Sequence, residues 1–120
     1  MDLIERVGQS FAADRAKAEK GVGAVLSALR MAVDKEAYEK VRVAVPGADA
    51  LIGKAMAPGG RTAEMAALVA PGTLLAALAA QGWKKDEVAP LTTLVVEYLR
   101  PFVGDAGADK FYKSAPGLKA

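Results

Sequence analysis

Apolar side chains recur along most of this chain at the three- and four-residue intervals of helices. The broadest pattern lies at 86–103. There Val88, Leu91, Leu94, Val95, Val96, Tyr98, Leu99, Phe102 and Val103 cover roughly 200° of a helix surface at 100° per residue. Thr93, Glu97 and Arg100 share the remaining side. So wide a stripe predicts contacts on more than one flank, and hence the central helix of a small all-α domain.

The other segments follow the same period. Leu3, Ile4, Val7 and Phe11 describe a short amphipathic helix. Asp14 is placed to cap a longer one running to about Val33, with Val22, Val25, Leu26, Leu29 and Val33 inward. Gly21 and Gly23 lie inside it and each costs roughly 1 kcal/mol against alanine, so they predict close backbone approach. A dinucleotide fingerprint would need a preceding strand, which is missing here. Asp34 caps a third helix carrying Tyr38, Val41 and Val45, ended by Pro46-Gly47. Asp49–Ala57 reads as a short helix. Pro58-Gly59-Gly60 is a loop, and Pro71-Gly72 divides an apolar helical hairpin at 61–82 that Gly82 closes. Gly104–Gly107 reads as a turn, Asp109–Ser114 as a last short helix, and Pro116-Gly117 as its end.

These elements predict a compact bundle of about six to seven helices in one domain, 1–120. Composition agrees: 52% of residues are hydrophobic, only 6% aromatic, and alanine alone accounts for 26 positions. The core is therefore built of small aliphatic side chains that let helices approach closely.

The chain also carries a pseudo-duplicated unit, a long helix followed by a short one. Shifting it by 70 positions aligns 14–50 with 84–120 and yields 8 identities in 37 positions, Val25/Val95, Leu29/Leu99, Arg30/Arg100 and Val33/Val103 among them. Ala18, Gly21, Ala24, Ala28 and Ala32 align with Val88, Leu91, Leu94, Tyr98 and Phe102. One copy is small where the other is bulky, so the two long helices are expected to pack together or around the hairpin.

Charge changes the picture little. Lysine and arginine number 16 against 14 acidic residues, with the signs interleaved, so no basic face is demanded. The absence of cysteine and histidine is more decisive. It removes disulfides, thiolate nucleophiles, imidazole bases and ordinary zinc or haem ligation, so neither a metal site nor a cofactor is expected. Ser10, Ser27 and Ser114 have no base of the usual kind. Asp86, Glu87, Glu36 and Glu39 read as helix N-terminal charges favoured by the macrodipole. Asp105 and Asp109 beside glycines lack the ligand spacing of a calcium loop.

Met1–Gln9 shows neither the basic start nor the apolar run of a signal peptide, so the expected location is cytoplasmic. The 19 uncharged residues 65–83 approach a membrane span in length, yet Pro71-Gly72, Thr73, Gln81 and many alanines favour a buried hairpin.

At VAVPGADALIGKA (43–55) and GWKKDEVAPLTTLVVEYLRPFVG (82–104) the sequence resembles the VcgC/VcgE-like family of small bacterial helical proteins. Val45, Pro46, Gly47, Asp49, Leu51 and Ile52 fit its first motif; Gly82, Asp86 and Val88 fit its second. Lys84-Lys85 stands where a serine-proline cap is common, which puts the start of the central helix in question. The resemblance implies a helical fold and supplies no activity.

The expected function is thus a non-enzymatic protein-interaction or scaffolding module, with a protein partner or a second copy of the chain. Phe111 and Tyr112 are candidates for a self-association surface, core packing being the competing account. One alternative is a nucleic-acid or polyanion binder using Arg15, Lys17, Lys20, Lys84 and Lys85, since Arg15 aligns with Lys85 and each copy starts with a basic turn. The other is a peripheral membrane or lipid binder using the hairpin.

Overall fold

In the computed structural model, which describes residues 3–45, 47–56, 74, 78, 79 and 82–114, the chain is mostly helical, with no strand among those residues. Five helices are described: α1 (Leu3–Phe11), α2 (Arg15–Ala32), α3 (Lys35–Ala44), α4 (Ala48–Met56) and α5 (Lys85–Ser114). The proposed hairpin at 61–82 lies outside the described residues, apart from Leu74, Leu78, Ala79 and Gly82. Leu74 and Leu78 are fully buried.

The aspartates open helices as their positions predict. Asp14 accepts a hydrogen bond from the Lys17 N–H at 2.8 Å, and Asp34 one from the Ala37 N–H at 2.8 Å. Each satisfies an amide that the first turn leaves without a partner. At the start of α5 the Lys84 N–H donates to the Glu87 carboxylate at 2.9 Å, the glutamate half of a capping box. Gly82, at φ +96°, ends the turn holding Leu78 and Ala79. Its N–H donates to the Ala79 carbonyl at 3.0 Å and that of Trp83 to Leu78 at 3.1 Å, a Schellman closure.

The helix at the centre is α2, not the 86–103 segment. Every residue from Gly21 to Leu29 is buried, and α2 touches all four other helices, α4 most extensively. The corresponding part of α5 exposes Glu97 and, at its end, leaves Phe102 39% exposed. The reason is side-chain size. Gly21, Gly23, Ala24, Ser27 and Ala28 let neighbours close on α2 from every side, whereas the bulky residues of α5 fill one broad flank. Val88, Leu91, Val95, Val96 and Leu99 are buried as expected. Thr92 joins them, its hydroxyl donating to the Val88 carbonyl at 2.8 Å.

Two prolines lie inside α5, and both are exposed. Each removes one helical N–H, leaving the carbonyls of Asp86 and Glu97 without their helical donors on a side that water reaches. Separated by 11 residues, or three turns, they share one face. Further on, Gly104 breaks the helical path at φ 78°, ψ 167°. The expected turn through Gly107 is shorter than predicted, because helix resumes at once. Gly107 is helical and buried, and a Cβ there would lie 3.0 Å from the Val103 Cβ. Arg100 spans the break, donating to Glu97 at 2.7 Å and to Asp105 at 2.8 Å. Past the break, Phe111 is fully buried and Tyr112 half-buried, edge-on at 5.8 Å, so Phe111 is core and no self-association surface.

Candidate functional site

Trp83 ties the beginning of α2 to the beginning of α5. Its indole is 97% buried and lies against Gly21, where an added Cβ would meet the ring at 2.7 Å. Phe11 meets it edge-on at 5.5 Å, and the Lys17 ammonium sits 4.7 Å from its centroid. A cation this close to an indole face is attracted by the ring quadrupole. The close approach foreseen at Gly21 is therefore made to an aromatic ring. The indole N–H has no hydrogen-bond partner among the described residues.

This junction relates the candidate basic residues to one another. Lys17 covers the ring and Lys84 follows it in sequence; Lys20 and Lys84 are exposed. Lys85 is the first residue of α5, and its side chain lies outside the described residues. Arg15 is placed differently, on the wall of a cleft.

That cleft has a volume of about 400 Å³ and draws on all five described helices and the α3–α4 turn. Leu3 and Ile4 come from α1, Arg15 and Glu19 from α2, Ala50 and Leu51 from α4, and Tyr98 from α5. Ala44 lines it from the end of α3, and Val45 and Gly47 from the α3–α4 turn. Its walls are mainly aliphatic. The lining residues with polar side chains are Arg15, Glu19 and Tyr98. The Arg6 guanidinium stands 5.5 Å from the centroid of the Tyr98 ring, adding a second cation beside that wall. Glu19 has an interaction partner of its own. Arg15 makes no ion pair among the described residues. A second, smaller hollow of about 220 Å³ shares Ile4 and Arg15 and is otherwise bordered by Glu5, Gly8, Gln9 and Ala13.

The α3–α4 wall is held by a polar cluster centred on Asp49. The Tyr38 hydroxyl donates to its carboxylate at 3.3 Å and Arg42 approaches it at 3.2 Å, while Arg42 also pairs with Glu39 at 2.6 Å. The Arg42 guanidinium lies 5.2 Å from the Tyr38 ring centroid. Burial, followed by the negative charge of Asp49, pushes the Tyr38 phenol above its ordinary pKa. This cluster fixes how α4 leaves α3, and so where Val45, Gly47 and Leu51 stand.

Arg15 was among the sequence candidates, but Arg6, Glu19 and Tyr98 were not. Tyr98 fits the apolar stripe of its helix, and nothing in its spacing separates a core ring from a cleft wall. No family model, curated protein or solved structure matches the chain. Among the described residues, no helix is long and apolar enough to cross a membrane.

Proposed function

We propose that the protein is a non-catalytic binding module whose recognition site is this cleft, occupied by a small and largely apolar ligand. The cleft itself is the observation that carries the reading. Its volume of about 400 Å³ falls within the roughly 300–1,000 Å³ of small-molecule sites, and its aliphatic walls with a few polar groups match their usual make-up. A flat protein-docking face is the weaker reading. Among the described residues the large exposed hydrophobic side chains, Met31, Val43 and Phe102, are scattered one to a helix.

A duplicated framework for the site accords with the helix boundaries. At an offset of 70, the start of α2 (Arg15) falls on Lys85 and the end of α3 (Ala44) on Ser114, the two limits of α5, and Asp34 between them falls on Gly104, where α5 leaves helical geometry. Burial runs in the same register: Val22 and Thr92, Val25 and Val95, Leu26 and Val96, Leu29 and Leu99, and Val41 and Phe111 are all fully buried. On this reading the two units diverged in bulk, the lighter long helix becoming the hub and the heavier one supplying Tyr98 to the cleft.

The test is an amide chemical-shift titration of the full chain with 1-octanol, a neutral probe. The shifts are expected to cluster at Leu3, Ile4, Val45, Ala50 and Leu51. Replacing the exposed Ala50 with Trp should fill the cleft and abolish them while circular dichroism stays unchanged. Shifts scattered away from these residues, or persisting in Ala50→Trp, would refute the assignment. A single-stranded oligonucleotide titrated in parallel addresses the polyanion alternative, which predicts shifts at Lys17, Lys20 and Lys84 instead.

A further inference from the structure

We infer that the cleft's ligand is an amphipathic monoanion, a carboxylate on a short aliphatic tail, with Arg15 as the group that holds the carboxylate. This rests on the cleft being the recognition site and adds the chemistry of what enters it.

Charge at the site sets the sign of the ligand. Among the described residues, Arg15 and Glu19 stand in the wall, Arg6 lies over Tyr98 and Glu5 borders the adjoining hollow; both carboxylates already have partners, whereas Arg15 makes no ion pair and is left to meet a ligand. A neutral ligand would leave the exposed Arg15 guanidinium to water and gain from it at most one hydrogen bond to an uncharged acceptor. A cationic ligand would meet two like charges. A carboxylate answers both objections, because the planar guanidinium presents paired donors that match its two oxygens.

Size sets the tail. At about 30 Å³ per water-sized group, the cleft of about 400 Å³ holds on the order of a dozen non-hydrogen atoms. That suits a head group with a chain of roughly eight carbons, lying along Leu3, Ile4, Val45 and Leu51. The Tyr98 ring closes one side. Arg15 contacts the ligand, whereas Arg6 acts through Tyr98 and through its field.

Calorimetric titration of the full chain with octanoate, 1-octanol and octylamine tests the inference. Octanoate should bind at least about tenfold more tightly than 1-octanol, the preference expected of one charge-assisted hydrogen-bonded pair. Octylamine should bind more weakly than either. Arg15→Gln should reduce octanoate to the affinity of 1-octanol and leave 1-octanol unmoved. Glu19→Gln should tighten octanoate only. Arg15 is exposed in the first turn of α2, so its removal leaves the fold intact, and a thermal melt of each variant checks this. Equal affinities for octanoate and 1-octanol, both abolished by Ala50→Trp, would overturn the anion while the cleft stood. Binding of none of the three would overturn the cleft as well. Octanoate binding that Arg15→Gln does not weaken would remove Arg15 from its role.

Discussion

Replacing Gly21 with alanine sets two sizeable effects against each other. In an open helix the change stabilises by about 0.8–1.0 kcal/mol, because alanine loses less backbone freedom on folding. Here the new methyl group would stand 2.7 Å from one indole carbon of Trp83 and 2.9 Å from two further ring atoms, well inside contact distance. The ring cannot swing away cheaply. It is 97% buried, edge-on to Phe11 at 5.5 Å and covered by Lys17 at 4.7 Å. Overpacking of a filled site costs about 1–3 kcal/mol. Gly21→Ala should therefore destabilise by about 1 kcal/mol net, lowering the melting temperature by about 4 °C for a domain of this size. Removing the obstacle should reverse the sign. In a Trp83→Leu background the same alanine should stabilise by up to about 1 kcal/mol, a coupling of about 2 kcal/mol between the two sites. Urea melts of the four proteins followed by far-UV circular dichroism, with the slope m unchanged, measure it. Gly21→Ala stabilising the parent chain by the full propensity increment would refute the packing argument.

Three further outcomes follow from particular residues. Ala12 ends α1 at φ +50°, where the Ala13 N–H reaches back to the Gly8 carbonyl at 3.0 Å, so a non-glycine residue holds the left-handed closing position. Ala12→Gly should stabilise by up to about 1 kcal/mol, the relief of strain exceeding the added chain entropy; a thermal melt showing a loss would contradict it. Ala28 is fully buried on the hub helix, and Ala28→Leu should cost about 1–3 kcal/mol in a urea melt. Because the Tyr38 phenol is raised above its ordinary value, the folded state keeps that proton when the unfolded chain has lost it. The stability it contributes is present below about pH 10 and is lost as pH rises through the folded value. Subtracting the stability of Tyr38→Phe from that of the parent between pH 8 and 11.5 should give a difference that falls above about pH 10; a flat difference would count against the burial of this hydroxyl.

The local signals in the sequence were good guides and the volumetric ones were not. Asp14, Asp34 and Gly82 act through their own hydrogen bonds over three to five residues, so their roles are visible in the letters alone. Gly104 was equally visible as a break, but the resumption of helix at Asp105 depends on Gly107 fitting beneath Val103. Choosing the hub demanded more than counting grease. A helix of glycine, alanine and serine looks unremarkable beside one of leucine and valine, yet small side chains are what permit crowding on every side. The cleft was the least legible feature, because residues as distant in sequence as Leu3, Leu51 and Tyr98 meet only once the helices have packed.

At 1.5 Å per residue an unbroken rod of 30 residues would reach about 45 Å, beyond the 35 Å of the molecule's longest dimension. The chain is kept within bounds by Gly104, whose φ and ψ belong to a region almost closed to other residues. Beyond it, in the final stretch, Ala108 and Phe111 are fully buried in the core of the same chain. Were the joint to straighten, that arm would carry its hydrophobic cargo outward, and a neighbouring copy would offer the same vacant berth. Two chains could then trade arms reciprocally. A single glycine thus keeps the buried side chains of Ala108 and Phe111 within their own fold.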